Sequence, residues 1–340
     1  MGVAGSGEFE LIARLVESVE TARRERSASW GPQVHLGSGD DAAITVPPGA
    51  TATSVDALVE GVHFRRDTAP LASVGRKALA TALSDLAAMG AVPGEAYVQL
   101  GVPDDLDEAG CAELAGGLAA TAADHSVAVL GGDVTRAPSL TLALTVVGHA
   151  ASPGELVTRA GAHRGDVLAV TGELGGAAAG LLLLERPELA GGLEGEVVER
   201  LRARQLEPEP RLEAGRALAT CGATAMIDLS DGLGGDARHL ADASRVQLLA
   251  ELGRVPLQEG VAAVAEAAGI DLYELAVGRG EDYELLVTVP QERLNESLQA
   301  VRATGCALTE IGAARDGAGV TLIEPDGSER EPSGFDQLRR

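Results

Sequence analysis

Short apolar runs alternate with longer Ala/Leu-rich stretches along the first half of the chain, which is the rhythm of alternating strands and helices. Thr51–Val55 is a short β-like stretch, and residues 71–89 carry Ala and Leu at helical spacing up to Gly90, with Pro93 beyond. Residues 96–102 predict a strand and residues 107–123 a helix. Val127–Leu130 is a short apolar strand ending in Gly131-Gly132, and residues 140–147 form a long β-branched and aliphatic run.

The pattern breaks at Ala151-Ser152-Pro153-Gly154 and then restarts. Strands are predicted at 167–170, 223–227 and 283–289. Helices are predicted at 175–184, from Pro208 and Pro210 to Thr220, at 235–243 and at 292–303. The fold class is therefore α/β (α+β), with two domains, 1–151 and 152–340. The pattern leaves strand order open.

A chain of 340 residues suits two domains of about 150 residues better than one core. Hydrophobic residues make up 45% and aromatics only 2%, so the core must be built from Ala, Val and Leu in close approach. The net charge is −24, and Lys77 is the single lysine. With no basic run or aromatic-interleaved patch, the chain is not expected to bind nucleic acid. Phosphate binding would need local cations, from a few arginines or from metal ions. Cys111, Cys221 and Cys306 are far apart and include no CxxC pair, which suggests neither a zinc site nor a disulfide framework. The first ten residues lack a basic region followed by an apolar one, and the run 177–184 is too short to span a bilayer, so a cytoplasmic protein off the membrane is expected.

Aspartates in glycine-rich loops and at strand ends carry the candidate chemistry. They occur in Gly37-Ser38-Gly39-Asp40-Asp41, Ser54-Val55-Asp56, Ser84-Asp85, Gly131-Gly132-Asp133 and Asp228-Leu229-Ser230-Asp231-Gly232. Singly, each reads as a turn in which Asp caps backbone N–H groups. Asp85 differs, because it lies inside a helical pattern beside Leu83, Leu86 and Met89, where a carboxylate needs a partner. Two carboxylates about 4 Å apart repel by roughly 4 kcal/mol at an effective dielectric near 20. Converging loops would therefore need cations, and Mg²⁺ takes a few carboxylates with water and phosphate oxygens completing its octahedron.

Several familiar catalytic signatures, for phosphate handling and for serine hydrolysis, are absent. The chain has no GxxxxGK[ST] loop and no protein-kinase motif set, and GxSxG does not occur.

Taken in order, a set of segments resembles the thiamine-monophosphate kinase family. They are Gly7-Glu8-Phe9-Glu10-Leu11-Ile12, Gly39-Asp40-Asp41-Ala42-Ala43, the run from Asp56 to Phe64, and the run from Leu83 to Gly90. They continue with Gly131-Gly132-Asp133, Arg159-Ala160-Gly161-Ala162, the run from Ile227 to Leu233, and Gly280-Glu281-Asp282-Tyr283-Glu284-Leu285. The resemblance spans nearly the whole chain. It implies ATP-dependent phosphorylation of thiamine monophosphate to thiamine diphosphate. It also implies the two-domain architecture of aminoimidazole-ribonucleotide synthetase, with N-terminal domains paired in a homodimer and nucleotide in a cleft between domains.

By position, the resemblance implies Mg²⁺ ligation by Asp41, Ser54, Val55, Asp56, Asp85, Asp133, Asp228 and Asp231. Val55 would serve only through its backbone carbonyl. It implies nucleotide contacts from Gly132, Asp133, Arg159 and Ser230, and substrate contacts from His63, Glu281 and Phe335. Phe335 stands where the family usually has Trp, and keeps a stacking face without the indole N–H. An expected nucleotide-contacting aromatic is missing, because Ala115 falls near that position. No covalent catalytic residue is expected: phosphoryl transfer needs in-line positioning and charge neutralisation, here by metal ions and Arg159. Two alternatives stay open. One is another ATP-dependent reaction of the same fold, although the N-terminal segment lacks the Cys that selenophosphate synthesis uses. The other is a non-catalytic Mg-ATP-binding protein.

Overall fold

The computed structural model describes residues 32–37 and 42–334. The chain divides into two compact units, one of Met1–Leu86 with Ala91–Pro153 and one of Ala87–Gly90 with Gly154–Arg340.

In the first unit, strands β1 (Gln33–Leu36) and β2 (Ile44–Val46) form an antiparallel ribbon. Strand β3 (Ala50–Val59) is followed by helix α1 (Leu71–Ala88), strand β4 (Val92–Val102) and helix α2 (Glu108–Asp124). Strands β5 (Ala128–Arg136) and β6 (Thr141–Ala150) complete a four-stranded sheet of order β3-β6-β4-β5, in which only the β4–β5 pair is parallel. One sheet face buries Leu142, Leu144 and Val146 fully. A methyl group at Gly148 on that face would meet Leu86 of α1 at 3.1 Å, so α1 covers it. The two helices touch at small residues: a methyl at Gly75 would lie 2.0 Å from the Leu114 carbonyl oxygen, and one at Gly117 1.9 Å from that of Ala72. A core poor in aromatics thus fills its volume by bringing backbones together.

The second unit opens with β7 (Val167–Thr171), α3 (Gly176–Glu185), α4 (Gly195–Leu206) and α5 (Leu212–Thr220). It continues with β8 (Ala225–Asp228), α6 (Leu233–Ser244), β9 (Gln247–Glu251), α7 (Val261–Ala268) and α8 (Leu272–Gly278). The last elements are β10 (Leu285–Val289), α9 (Leu294–Ala303), β11 (Leu308–Arg315), β12 (Gly319–Ile323) and β13 (Glu329–Arg330). Its sheet has seven strands in the order β13-β12-β9-β11-β7-β10-β8. The core is aliphatic, with Leu168, Val170, Leu183, Leu201, Leu248 and Leu286 among its buried members.

Three differences from the sequence pattern bear on the site. Gly131, Gly132 and Asp133 do not form a loop after a strand; they lie inside β5. The register explains it: Gly132 pairs with Val98 so closely that a methyl would lie 2.0 Å from its carbonyl oxygen. Strand β10 starts at Leu285, because Glu281 and Tyr283 have φ of 74° and 51°, outside the β region. Finally, α4 gives little apolar signal, since its buried stripe is only Val197, Val198, Leu201 and Gln205 among charged residues.

Candidate functional site

In the first unit, β3 alternates. Ser54 and Asp56 are half-buried on the face covered by α1, whereas Val55 points the other way, 69% exposed. Asp85 sits one helical layer above, and its Oδ2 accepts a hydrogen bond from Ser54 Oγ. The lone carboxylate of the helical pattern thus finds a hydroxyl partner on the neighbouring strand. Asp56 Oδ1 accepts the N–H of Ala57 at 2.8 Å.

Past β3 the chain turns through Gly61 (φ 83°) to His63. The Val59 N–H donates to His63 Nδ1 at 3.0 Å, which leaves the ring proton of a neutral imidazole on Nε2. The turn is pinned by Glu60, which binds Arg66 Nε at 2.6 Å while Arg66 also bonds Asp105.

Gly132 and Asp133 lie on β5, the opposite edge of the sheet from β3. Gly132 shares a row with Asp56 through Val98 and Leu144. Asp133 shares one with Gln99, Ala143 and Ala57, so it is exposed on the other face. At about 4.8 Å per strand, three spacings put the two edges about 14 Å apart. Within one copy of this unit, Asp133 therefore does not join Ser54, Asp56 and Asp85.

The second unit brings two predicted segments side by side. Asp228 ends β8, and Ser230 and Asp231 follow in a loop before α6. The chain from Gly280 runs along this loop: the Glu281 N–H donates to the Ser230 carbonyl at 2.9 Å, and the Tyr283 N–H to that of Leu229 at 2.9 Å. The Leu229 N–H returns a bond to the Glu284 carbonyl at 2.8 Å. Only glycine fits at 280, since a methyl would lie 1.8 Å from the Ser230 oxygen. Predicted nucleotide and metal residues thus share a backbone ladder with the predicted substrate residue Glu281.

Residues not singled out by the sequence hold this arrangement. Asp236, buried on α6, accepts the N–H groups of Asp231 and Gly232, each at 3.0 Å. Burial, then the nearby Asp228 and Asp231 carboxylates, push its pKa up to about 8. Glu284, with no exposed surface, accepts from Arg211 at 2.6 and 2.8 Å, from Arg204 at 2.9 Å and from Thr171 at 2.8 Å. Burial works against the Arg211 charge, but Glu284 more than offsets it, and the group stays protonated with a raised pKa. Asp282 accepts the Gly175 and Ala177 N–H groups at the start of α3, where the helix dipole favours a carboxylate. Burial nonetheless lifts its pKa to about 6. Asp282 and Glu284 lie within a quoted family-like segment, which was a usable signal; for Arg204, Gln205 and Arg211 the sequence offered none.

Arg159 has an exposed side chain, and its carbonyl accepts from Ser244 Oγ at 2.9 Å. Its neighbour Thr158 accepts the Met226 N–H on β8 at 3.0 Å, so Arg159 follows a segment bonded to the strand that ends in Asp228. Asp41 and Phe335 lie outside the described residues. The residues just before Phe335 do not: a methyl at Gly234 would lie 2.5 Å from the Ser333 oxygen, which puts the C-terminal segment against the start of α6.

The donors in these places are carboxylate and hydroxyl oxygens, the hard ligands that Mg²⁺ takes. Among the described residues no three His, Cys, Asp or Glu side chains converge into a ready metal cage. Pairs such as Ser54 with Asp85 suit an ion that keeps water and phosphate oxygens in its shell.

Residues 39–150 match the family model for the AIR synthase related protein, N-terminal domain, and residues 163–324 the one for its C-terminal domain. Fold and matches together define an AIR-synthase-related two-domain protein. Thiamine-monophosphate kinase of Escherichia coli K12 is 37% identical over 330 residues, 93% of this chain and 96% of that protein. The Mycobacterium tuberculosis enzyme of the same name is 38% identical over 282 residues, 82% of this chain and 80% of its own length. The crystal structure of the Stenotrophomonas maltophilia K279a thiamine-monophosphate kinase aligns at TM-score 0.81 and 32% identity, covering 97% and 99% of the two chains. AaThiL complexed with AMPPCP and TMP aligns at TM-score 0.74 and 30% identity, covering 98% of each. The chain belongs to the thiamine-monophosphate kinase family.

Proposed function

We propose that this protein transfers the γ-phosphoryl group of ATP directly to the phosphate of thiamine monophosphate, giving thiamine diphosphate. In a chain of this family, the observation that carries the reading is the backbone ladder that sets Asp228, Ser230 and Asp231 beside Glu281. Related chains are named for this reaction, and one has been solved with AMPPCP and TMP.

The acceptor is a phosphate monoester, largely ionised at neutral pH, so a strong general base is not required. What the chain must supply is position and positive charge. Asp41, Ser54, Asp56, Asp85, Asp133, Asp228 and Asp231 would hold Mg²⁺, with Val55 offering only its backbone carbonyl. An ion held there would supply positive charge to offset that of the phosphate oxygens. Gly132, Asp133, Ser230 and Arg159 would contact the nucleotide, the exposed guanidinium of Arg159 supplying a fixed cation. His63, Glu281 and Phe335 would contact the acceptor.

The first unit would bind ATP and Mg²⁺ and pair with a second copy. Its sheet face away from α1 carries the row Val55, Thr145, Tyr97 and Gly131, with Val55 largely exposed. Pairing over this face would cover apolar surface that one copy leaves open. Among the described residues no helix is long and apolar enough to cross a membrane, and we place the activity in the cytoplasm.

The test is chromatographic. Purified protein with ATP and Mg²⁺ should convert thiamine monophosphate to thiamine diphosphate. No product from folded protein at neutral to mildly alkaline pH refutes the reading.

A further inference from the structure

Glu281 is held from two sides. Its backbone N–H is bonded to Ser230, and its Oε2 accepts from Nε2 of Gln205 at 2.7 Å. Gln205 sits in the last turn of α4, 5% exposed, in a stripe otherwise made of Val197, Val198 and Leu201. A buried amide there gains nothing from the apolar core and is tolerated only because it is bonded. The identity of its donor is settled by chemistry: an ionised carboxylate only accepts, so the amide nitrogen faces it.

The neighbouring residue on α4 serves the same segment. Arg204 donates to the Asp282 carbonyl at 2.9 Å and to Glu284 Oε1 at 2.9 Å. Arg211 and Thr171 complete the grip on Glu284. Between these anchors, Glu281 and Tyr283 adopt φ of 74° and 51°. Left-handed backbone at non-glycine residues is strained and persists only when the surroundings over-determine it. The strain and its restraints meet at Glu281, which the side chain of Gln205 reaches from the end of α4.

We propose that Gln205 is a positioning residue for the acceptor substrate: its amide N–H sets the orientation in which the Glu281 carboxylate meets thiamine monophosphate. The proposal rests on the reading of Glu281 as a substrate contact. Gln205 reaches the substrate only through Glu281, so its effect is confined to acceptor recognition and leaves the nucleotide untouched.

Steady-state kinetics on the full chain test it with Gln205→Met, which keeps length and volume, Gln205→Glu, Glu281→Gln and the double variant Gln205→Met with Glu281→Gln. Gln205→Met should raise KM for thiamine monophosphate about three- to tenfold, with KM for ATP and Tm unchanged, the scale of one ordinary net hydrogen bond. Gln205→Glu, which sets a second carboxylate against the first, should raise it further. The double variant should match Glu281→Gln alone, because the two act as a unit. If Glu281→Gln raises KM while both Gln205 variants leave it unchanged, the positioning role is overturned and the reading of Glu281 stands. If Glu281→Gln leaves KM unchanged, that reading fails and the role of Gln205 falls with it. Equal rises in both KM values, a marked drop in Tm, or strict additivity in the double variant makes Gln205 a packing residue. Should Gln205→Glu fail to fold, Gln205→Met and the cycle decide alone.

Discussion

Ser54 on β3 and Asp85 on α1, 31 residues apart in sequence, are joined by a hydrogen bond from the Ser54 hydroxyl to the Asp85 carboxylate. A strand hydroxyl and a helix carboxylate are thereby presented together on the α1-covered face, next to Asp56 two residues along β3. Asp85→Asn and Asp56→Asn, which keep size and remove charge, should each lower turnover by at least about tenfold to a hundredfold and raise the Mg²⁺ concentration needed for half-maximal rate. Asp133→Asn should do the same. Wild-type turnover at low Mg²⁺ in two of the three variants would rule out their role as ligands.

Asp236 organises the Asp231–Gly232 turn by accepting two backbone N–H groups. Asp236→Ala strands both donors and should destabilise the protein by about 2–3 kcal/mol, since an unsatisfied buried donor costs its desolvation. Asp236→Asn retains an acceptor oxygen and should lose less. Chemical denaturation ranks the two; equal losses would mean that Asp236 matters for volume and not for its bonds.

Asp282 predicts a pH signature. Its folded pKa is raised to about 6 by burial, above the ordinary carboxylate value of 3.8. Between those values the folded state holds a proton that the unfolded state has lost, so this group's contribution to stability falls as pH rises from about 4 to 6 and is flat above. Asp282→Asn removes that term. The Tm of wild type minus that of Asp282→Asn should therefore decline over this window in a thermal melt series. A difference constant from pH 4 to 7 would refute the shift.

The segment Pro332–Gly334 leads into Phe335 alongside Gly234 and Gly235. Phe335→Ala should raise KM for thiamine monophosphate about threefold to tenfold, the loss expected when a ring no longer stacks, with KM for ATP nearly unchanged. Phe335→Trp should be tolerated. Equal effects on both KM values, or a large fall in Tm, would assign Phe335 to packing.

Direct transfer predicts that γ-labelled ATP without acceptor leaves the protein unlabelled. Stoichiometric label that thiamine monophosphate chases off an Asp or His would establish a covalent route instead.

Much of this protein is decided locally and was readable in the chain. Alternating short apolar runs and Ala/Leu-rich stretches set the α/β class, because strand and helix bury faces with different periods. The aspartates stood out because they sit in glycine-rich loops, at strand ends or inside an apolar helix, where their chemistry contrasts with their neighbours. Other features depend on partners distant in sequence. That Gly131–Asp133 continues β5 and turns Asp133 to the face opposite Asp56 follows from register, which a shift of one residue reverses. That Gln205 and Arg204 end a weakly apolar helix beside residues 281–284 is equally a matter of packing. Side chains some 76 residues apart meet only once the unit has closed, so tertiary structure alone decided which polar groups hold Glu281 in its strained conformation.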